Sequence, residues 1–454
     1  MSRSRHTTLD ILVRVLFTLL TACIIAAIVI QDHTSYFPLG VFNTGAETLH
    51  RIADACLAAA VVALIAQIAE LATGRFTALC GVVRGVYVSV AILEVLLYFS
   101  DQLFVTGNPN GRLGQYYEVA HSGNPPVILK KDFGAHHSFP PCFMDPAVKD
   151  AGPRILFLGD SYTEGSGSSP DCNYPDVVEK VLREEWRPDA HVVRAGVSGY
   201  GPVEALSLLR WYQKNGCPVQ AVVYNMTLQN DFSDNLPRTV RRVVAGIIFR
   251  FPSNCFIRTF HPLNTRAFRW ALVLTYFGKA STHDMLQAVS VAGGRCDLTP
   301  KPLTVVSPFL RATVERDLES ARRSMAISPW PPKGSVSIDS LPGSKDQRHA
   351  IHEMQKITVD MGARFYVVLF PDRILVDREL QSLMPQTSLE PAEWKWYVIQ
   401  HVTYSHEKDL RDALSGRSGL YRTVDTHLSD LGNVVAGEAV GEWLALHLAI
   451  KIEE

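Results

Sequence analysis

Five residues of this 454-residue chain have the types and the chain order that serine-based acyl transfer requires. They are Ser161 in "GDSY", Gly199 in "SGYG", Asn230 in "QND", and Asp425 and His427 in "DTHLSDLGN". A serine hydroxyl is a weak nucleophile near neutral pH. It needs an imidazole to take its proton and a carboxylate to hold that imidazole in the right tautomer. The oxyanion of the tetrahedral intermediate needs preorganised donors, which a glycine N–H and an asparagine amide supply. Each residue alone has a structural explanation. Asp and Ser after a buried strand cap helices, Gly199 fits a plain turn, Asn230 fits a cap, and a single histidine is more often packed than basic. Their joint order is what favours chemistry.

To act together these residues must meet at one edge of one structure, and the flanking pattern supplies that edge. Short apolar runs at 154–159 ("RILFLG"), 191–196 ("HVVRAG"), 221–226 ("AVVYNM") and 363–370 ("ARFYVVLF") alternate with amphipathic stretches at 175–186, 203–214 and 350–362. Strands alternating with helices predict an α/β fold, a parallel sheet covered on both faces as a three-layer sandwich. Ligands of such sheets bind at the carboxyl ends of the strands. Ser161, Gly199 and Asn230 each follow one of the first three runs, and Asp425 and His427 precede the last helical run, "VVAGEAVGEWLALHLAI".

Over about residues 153–449 these blocks resemble the SGNH (GDSL-like) hydrolase superfamily. The resemblance implies a flavodoxin-like sheet, with Ser161 as nucleophile and His427 as base oriented by Asp425. The N–H of Ser161, Gly199 and Asn230 would form the oxyanion hole. Three positions depart from the common pattern: Leu228 where many relatives have Gly, Arg194 where an Asn opens the second block, and Asp-x-His in place of Asp-x-x-His. The last is similar to exopolysaccharide O-acetyltransferase and acetylesterase branches. Asp430 is the alternative carboxylate should Asp425 point away.

The implied activity is that of an esterase or O-acyltransferase acting on an acyl ester, most simply acetyl, of a cell-envelope or secreted polysaccharide. It needs no cofactor and no metal. Hydrolysis and transfer share the acyl-enzyme and differ only in the acceptor, so the motifs leave both open, as they do a lipid or thioester substrate. The rival of a different class is a membrane-tethered glycan-binding protein that keeps the fold without turnover. Ser161 and His427 together argue against it, because a binding module needs neither.

A membrane region precedes this domain. Residues 9–30, 52–72 and 85–104 are apolar runs of the length that crosses a bilayer as a helix. A soluble helical hairpin for the second and third is the alternative. Arg3 and Arg5 before the first run, and Arg75 and Arg84 around the loop between the other two, put those flanks in the cytoplasm and residue 105 onward outside. Arg51 sits on the wrong side for this topology. "LTAC" at 20–23 resembles a lipobox, but the apolar run continues past Cys23 to Ile30, as a spanning helix does and a processing site does not. With the resemblance, this reads as a protein of the bacterial cytoplasmic membrane, its catalytic domain periplasmic or extracellular.

Residues 105–152, rich in Gly, Pro and polar residues, read as a linker before a catalytic domain at 153–454. The adjacent His136 and His137 lack a third ligand and are read as incidental. The exterior part has Cys142, Cys172, Cys217, Cys255 and Cys296, an odd set that allows at most two bridges and shows no zinc spacing. A long insertion, about 232–349, opens with a segment (238–279) carrying eight Lys or Arg and no acid among Phe, Trp and Ile. That composition fits a surface lying on an anionic bilayer, the wall of a cleft for an anionic polysaccharide, or a buried helical cap with basic ends. Overall, 44 basic residues stand against 45 acidic ones, and the domain faces outward, so nucleic acid is excluded as a partner.

Overall fold

The computed structural model describes residues 2–33, 46–107, 116–121, 127–131, 152–227, 239–271, 296–314, 344–384, 407–422 and 426–450, apart from isolated positions within these ranges. The chain divides into two compact units, one of residues 1–112 with 237–282 and one of 113–236 with 283–454.

The first unit opens with helices α1 (Ser2–His33), α2 (Ala46–Thr73) and α3 (Thr77–Gly107), each long and apolar enough to cross a membrane. α1 runs unbroken through Cys23. Large apolar side chains such as Leu12, Leu16, Ile65, Val82 and Leu96 stay exposed on these helices, as lipid-facing residues do. Glu70, one of two acidic residues in the second apolar run, is buried. Its carboxylate lies 3.0 Å from Arg84 and 3.4 Å from Arg14, which also pairs with Asp10 at 2.5 Å. Charges within spanning helices survive by facing the bundle interior and pairing there. Thr21 and Tyr87 add a 2.9 Å hydrogen bond between α1 and α3.

The second unit begins with an antiparallel hairpin, β1 (Tyr116–His121) and β2 (Val127–Lys131), inside the stretch expected to be only a linker. Each run is too short to stand out among the surrounding Gly and Pro. Then follow β3 (Arg154–Gly159), α4 (Ser161–Glu164), α5 (Tyr174–Glu185), β4 (His191–Gly196), α6 (Pro202–Lys214) and β5 (Ala221–Thr227). The chain then leaves for the first unit, where it forms β6 (Thr239–Val244), β7 (Ile247–Pro252) and α7 (Cys255–Phe260). It returns through α8 (Ser344–Asp360), β8 (Arg364–Phe370), α9 (Arg373–Val376), α10 (Arg378–Leu383), β9 (Glu407–Asp409), α11 (Arg411–Leu414) and α12 (Asp430–Ala449).

The fold is α/β, with a five-stranded parallel sheet in the order β4-β3-β5-β8-β9. β3 comes first in the sheet yet has β4 on one side and β5 on the other, so its carboxyl end is the point where the winding reverses. Ile155, Leu156, Phe157 and Leu158 are all fully buried, as a strand covered on both faces requires. α5 packs with α12, and α6 with α8. Gly437 and Gly441 make the first contact close: a Cβ on Gly437 would come within 2.5 Å of Val177 Cβ. The edge strand β9 has no sequence signal, because "EKD" carries no apolar period.

The excursion packs on the apolar helices. Leu263 closes a buried cluster with Ile28 of α1 and Ala53 of α2, against which Ile24, Leu57 and Phe268 also lie. On α3, both carboxylate oxygens of Glu94 accept backbone N–H groups, from Arg266 at 2.9 Å and Ala267 at 2.8 Å. The Arg266 guanidinium sits 4.8 Å above the Tyr98 ring. Glu94, an acid within the third apolar run, therefore serves as an external cap for the chain turn beginning at residue 266.

Within the hairpin, Arg241 stands directly opposite Arg250 in the ladder. Replacing Arg241, Arg242 and Arg250 with Gln in the full-length protein should lower its retention of phosphatidylglycerol relative to phosphatidylcholine in native mass spectrometry, most strongly at low salt. Unchanged retention would leave the wall of a cleft for an anionic polysaccharide and the structural cap as the two accounts of the segment.

Candidate active site

β3 ends at Gly159, and the next residue, Asp160, caps α4: its Oδ1 accepts the Tyr162 N–H at 3.0 Å. The capping role of "GDS" thus belongs to the aspartate. Ser161 is the first residue of α4, and its hydroxyl is engaged elsewhere. The short helix lies hard against the strand ends because two glycines vacate the space. A Cβ on Gly159 would stand 2.3 Å from Thr163 Oγ1, and one on Gly196 would stand 2.2 Å from the backbone nitrogen of Glu164.

His427 enters from the other end of the chain, just before α12. Its Nε2 lies 2.8 Å from Ser161 Oγ, the distance at which a hydroxyl donates to an unprotonated imidazole nitrogen. The turn that carries it is closed on itself, with Arg422 N donating to His427 O at 2.9 Å and Tyr421 bridged to Leu428. Tyr162, adjacent to Ser161, reaches across to donate its hydroxyl to Thr426 O at 2.8 Å. Its ring lies 5.3 Å from the imidazole. Ser429 then starts α12, accepting from Gly432 N at 3.1 Å.

Gly199 lies in the loop after β4 with φ of 73°, a left-handed conformation that glycine adopts without strain. Glu164 fastens this loop to α4, its buried carboxylate accepting the Ser198 N–H at 2.5 Å, and Val197 N donates to Gly159 O at 3.0 Å. The Gly199 loop is therefore tied to the strand and helix that present Ser161. Asn230 and Asp425 lie outside the described residues, as do Leu228, His136 and His137.

Both oxygens of Asp430, the alternative carboxylate, are engaged by groups other than His427. Its Oδ1 accepts Ser169 N at 2.8 Å, and its Oδ2 accepts Ser169 Oγ at 2.6 Å and Asp297 N at 3.0 Å. It fastens two loops that the Cys172–Cys296 disulfide also joins. That is one of the two bridges the exterior cysteines allow; Cys142 and Cys217 lie outside the described residues. Arg194, the departure in the second block, pairs with Asp176 at 3.1 Å. Burial pushes the Tyr174 phenol far above its ordinary range, so it stays protonated in its 3.0 Å hydrogen bond with Thr163.

Sequence reasoning missed Tyr162 and Glu164, whose partners are 264 and 34 residues away. The one local signal was an acid in the first turn after a cap, which ordinary helix chemistry already explains.

No protein-family model matches the chain, and no curated protein matches it. Among solved structures it is similar to a lipase from a goat rumen metagenome, at 11% identity and a TM-score of 0.33 over 64% of this chain and 97% of that one. It is also similar to an acetylxylan esterase from Geobacillus stearothermophilus, at 14% identity and a TM-score of 0.21 over 65% of this chain and 94% of that one. A further acetyl xylan esterase gives 12% identity and a TM-score of 0.22 over 65% and 100%.

Proposed function

We propose that this chain is a membrane-anchored serine esterase or O-acyltransferase of the SGNH type, acting outside the cytoplasmic membrane on an acyl ester of an envelope or secreted polysaccharide. The observation that carries this reading is the 2.8 Å contact between Ser161 Oγ and His427 Nε2 at the carboxyl edge of the sheet. In this reading Ser161 Oγ attacks the ester carbonyl while His427 takes its proton. The oxyanion is met by the N–H groups of Ser161 and Gly199 and the amide of Asn230, and Asp425 holds the imidazole. His427 then returns the proton to the departing alcohol. Water or a sugar hydroxyl, deprotonated by His427, then attacks the acyl carbonyl, and His427 returns that proton to Ser161 Oγ as the acyl group leaves.

The anchor is the region 1–104, and the catalytic domain spans 153–454 with an insertion at about 232–349. Two features support placing the chemistry outside: the basic flanks at Arg3, Arg5, Arg75 and Arg84, and the Cys172–Cys296 disulfide, which persists in oxidising compartments.

A serine-directed phosphonate probe tests the reading. It should label the purified full-length protein at Ser161, located by peptide mass spectrometry. A protein that binds glycans without turnover, the rival reading, would not be labelled there.

A further inference from the structure

We propose that Arg373 is a positioning residue that fixes the turn carrying His427 and thereby sets its distance from Ser161, without touching substrate. The inference rests on the reading of Ser161 and His427 as nucleophile and base.

Arg373 begins α9, just past the carboxyl end of β8, where a long basic side chain would ordinarily extend into water. Instead the side chain is only 1% exposed. A buried guanidinium is costly unless its donors are satisfied, so its partners show what it is there to hold. Nε donates to Asp377 Oδ2 at 2.7 Å, and Nη1 donates to the backbone carbonyl of Arg422, also at 2.7 Å. The guanidinium carbon lies 5.1 Å from the centre of the Tyr421 ring.

Asp377 is itself fixed. Its Oδ1 accepts the N–H groups of Glu379 and Leu380, at 3.0 and 3.1 Å, as the cap of α10. Arg373 thus carries a rigid reference from the end of β8 to residues 421 and 422, the first strand of the turn whose other strand includes His427 and Leu428.

Among the described residues, the turn is held from two sides. Tyr162 grips Thr426 O from the nucleophile side, and Arg373 grips Arg422 O from the β8 side. Arg422 N in turn bonds His427 O, so a shift of Arg422 passes directly to the residue that must meet Ser161. Only an arginine serves Asp377, Arg422 and Tyr421 together. Its planar fork donates in two directions while its face lies on a ring, whereas lysine offers a single compact charge.

Arg373→Lys in the full-length protein tests this, with Asp377→Asn as a second variant should the first not fold. For whichever variant retains the parent's far-ultraviolet circular dichroism, kcat for a small activated ester should fall about ten- to a hundredfold, the cost of misplacing a reacting group by about an ångström. KM should stay near the parent value. The limb of the kcat/KM pH profile that depends on the imidazole should also move, which a purely structural ion pair would not cause. If the parent turns over the ester and the folded variant matches its kcat and its pH profile, the positioning role is overturned while the proposed function stands. If the parent itself neither turns over the ester nor takes the phosphonate, both fall.

Discussion

Replacing either Ser161 or His427 with alanine should abolish turnover of a small activated acetyl ester, and the double variant should be no worse than either single one. The two side chains are 2.8 Å apart and serve one step, so removing either disables the same proton transfer and the losses do not add. Asn230→Ala should leave a measurable remnant, since loss of one oxyanion donor typically costs about a hundred- to a thousandfold in rate. Asp425→Asn should be severe, about ten-thousandfold, because an amide favours the wrong imidazole tautomer. The measurement is kcat/KM for each variant in a preparation shown free of other esterases. If Ser161→Ala proceeds as fast as the parent, "GDSY" is only a helix cap.

The second large effect is expected at a residue with no chemistry of its own. Gly196→Ala should inactivate the protein and destabilise it together. Its Cβ would lie 2.2 Å from the backbone nitrogen of Glu164 and 2.5 Å from the carbonyl carbon of Thr163, and backbone cannot swing aside as a side chain can. α4 must therefore shift as a whole, carrying Ser161 away from His427. Overpacking of this kind costs about 1–3 kcal/mol, and misplacing the nucleophile by about an ångström costs about a hundredfold in rate. Thermal unfolding and steady-state kinetics on the same sample read the two effects. Gly437→Ala, which crowds Val177 between α5 and α12, supplies a control for helix packing away from Ser161. Full activity in Gly196→Ala would mean that α4 tolerates displacement and that the Ser161 geometry is looser than its packing implies.

The parts of this protein legible in the sequence are those whose signal is local. The first four strands of the parallel sheet stand within a residue of their expected bounds, because each is an uninterrupted apolar run ended by Gly or a polar turn. The contact of Ser161 with His427 followed from chain order at strand ends. Short elements were not legible: β1 and β2 are hidden by Gly and Pro, and the three charged residues of β9 join the sheet only because β8 offers an edge. Nor were the holds on the site. Tyr162 to Thr426, Asp430 to Ser169 and Arg373 to Arg422 all join residues remote in the chain. Asp430 illustrates the limit: three residues past His427 it suited a catalytic role, and only its three partners reveal it as a loop fastener.

The excursion between β5 and β8 has a consequence for how the chain is made. These strands are neighbours in the sheet, paired from Ala221 with Arg364 to Thr227 with Phe370, yet everything between them must first be synthesised. Until β8 arrives, β5 is an open edge of the kind that pairs with the wrong chain. Closing so long a loop is also entropically slow, and contacts this distant in sequence delay folding. Docking Leu263 beside Ile28 and Ala53, on helices that have already emerged, pins the loop near its start and shortens the remaining search. The N-terminal helices, long and apolar enough to cross a membrane, thus also hold the start of the segment that β5 and β8 must close. A chain cut free of them would leave Leu263 and Phe268 uncovered during the interval when β5 waits for its partner.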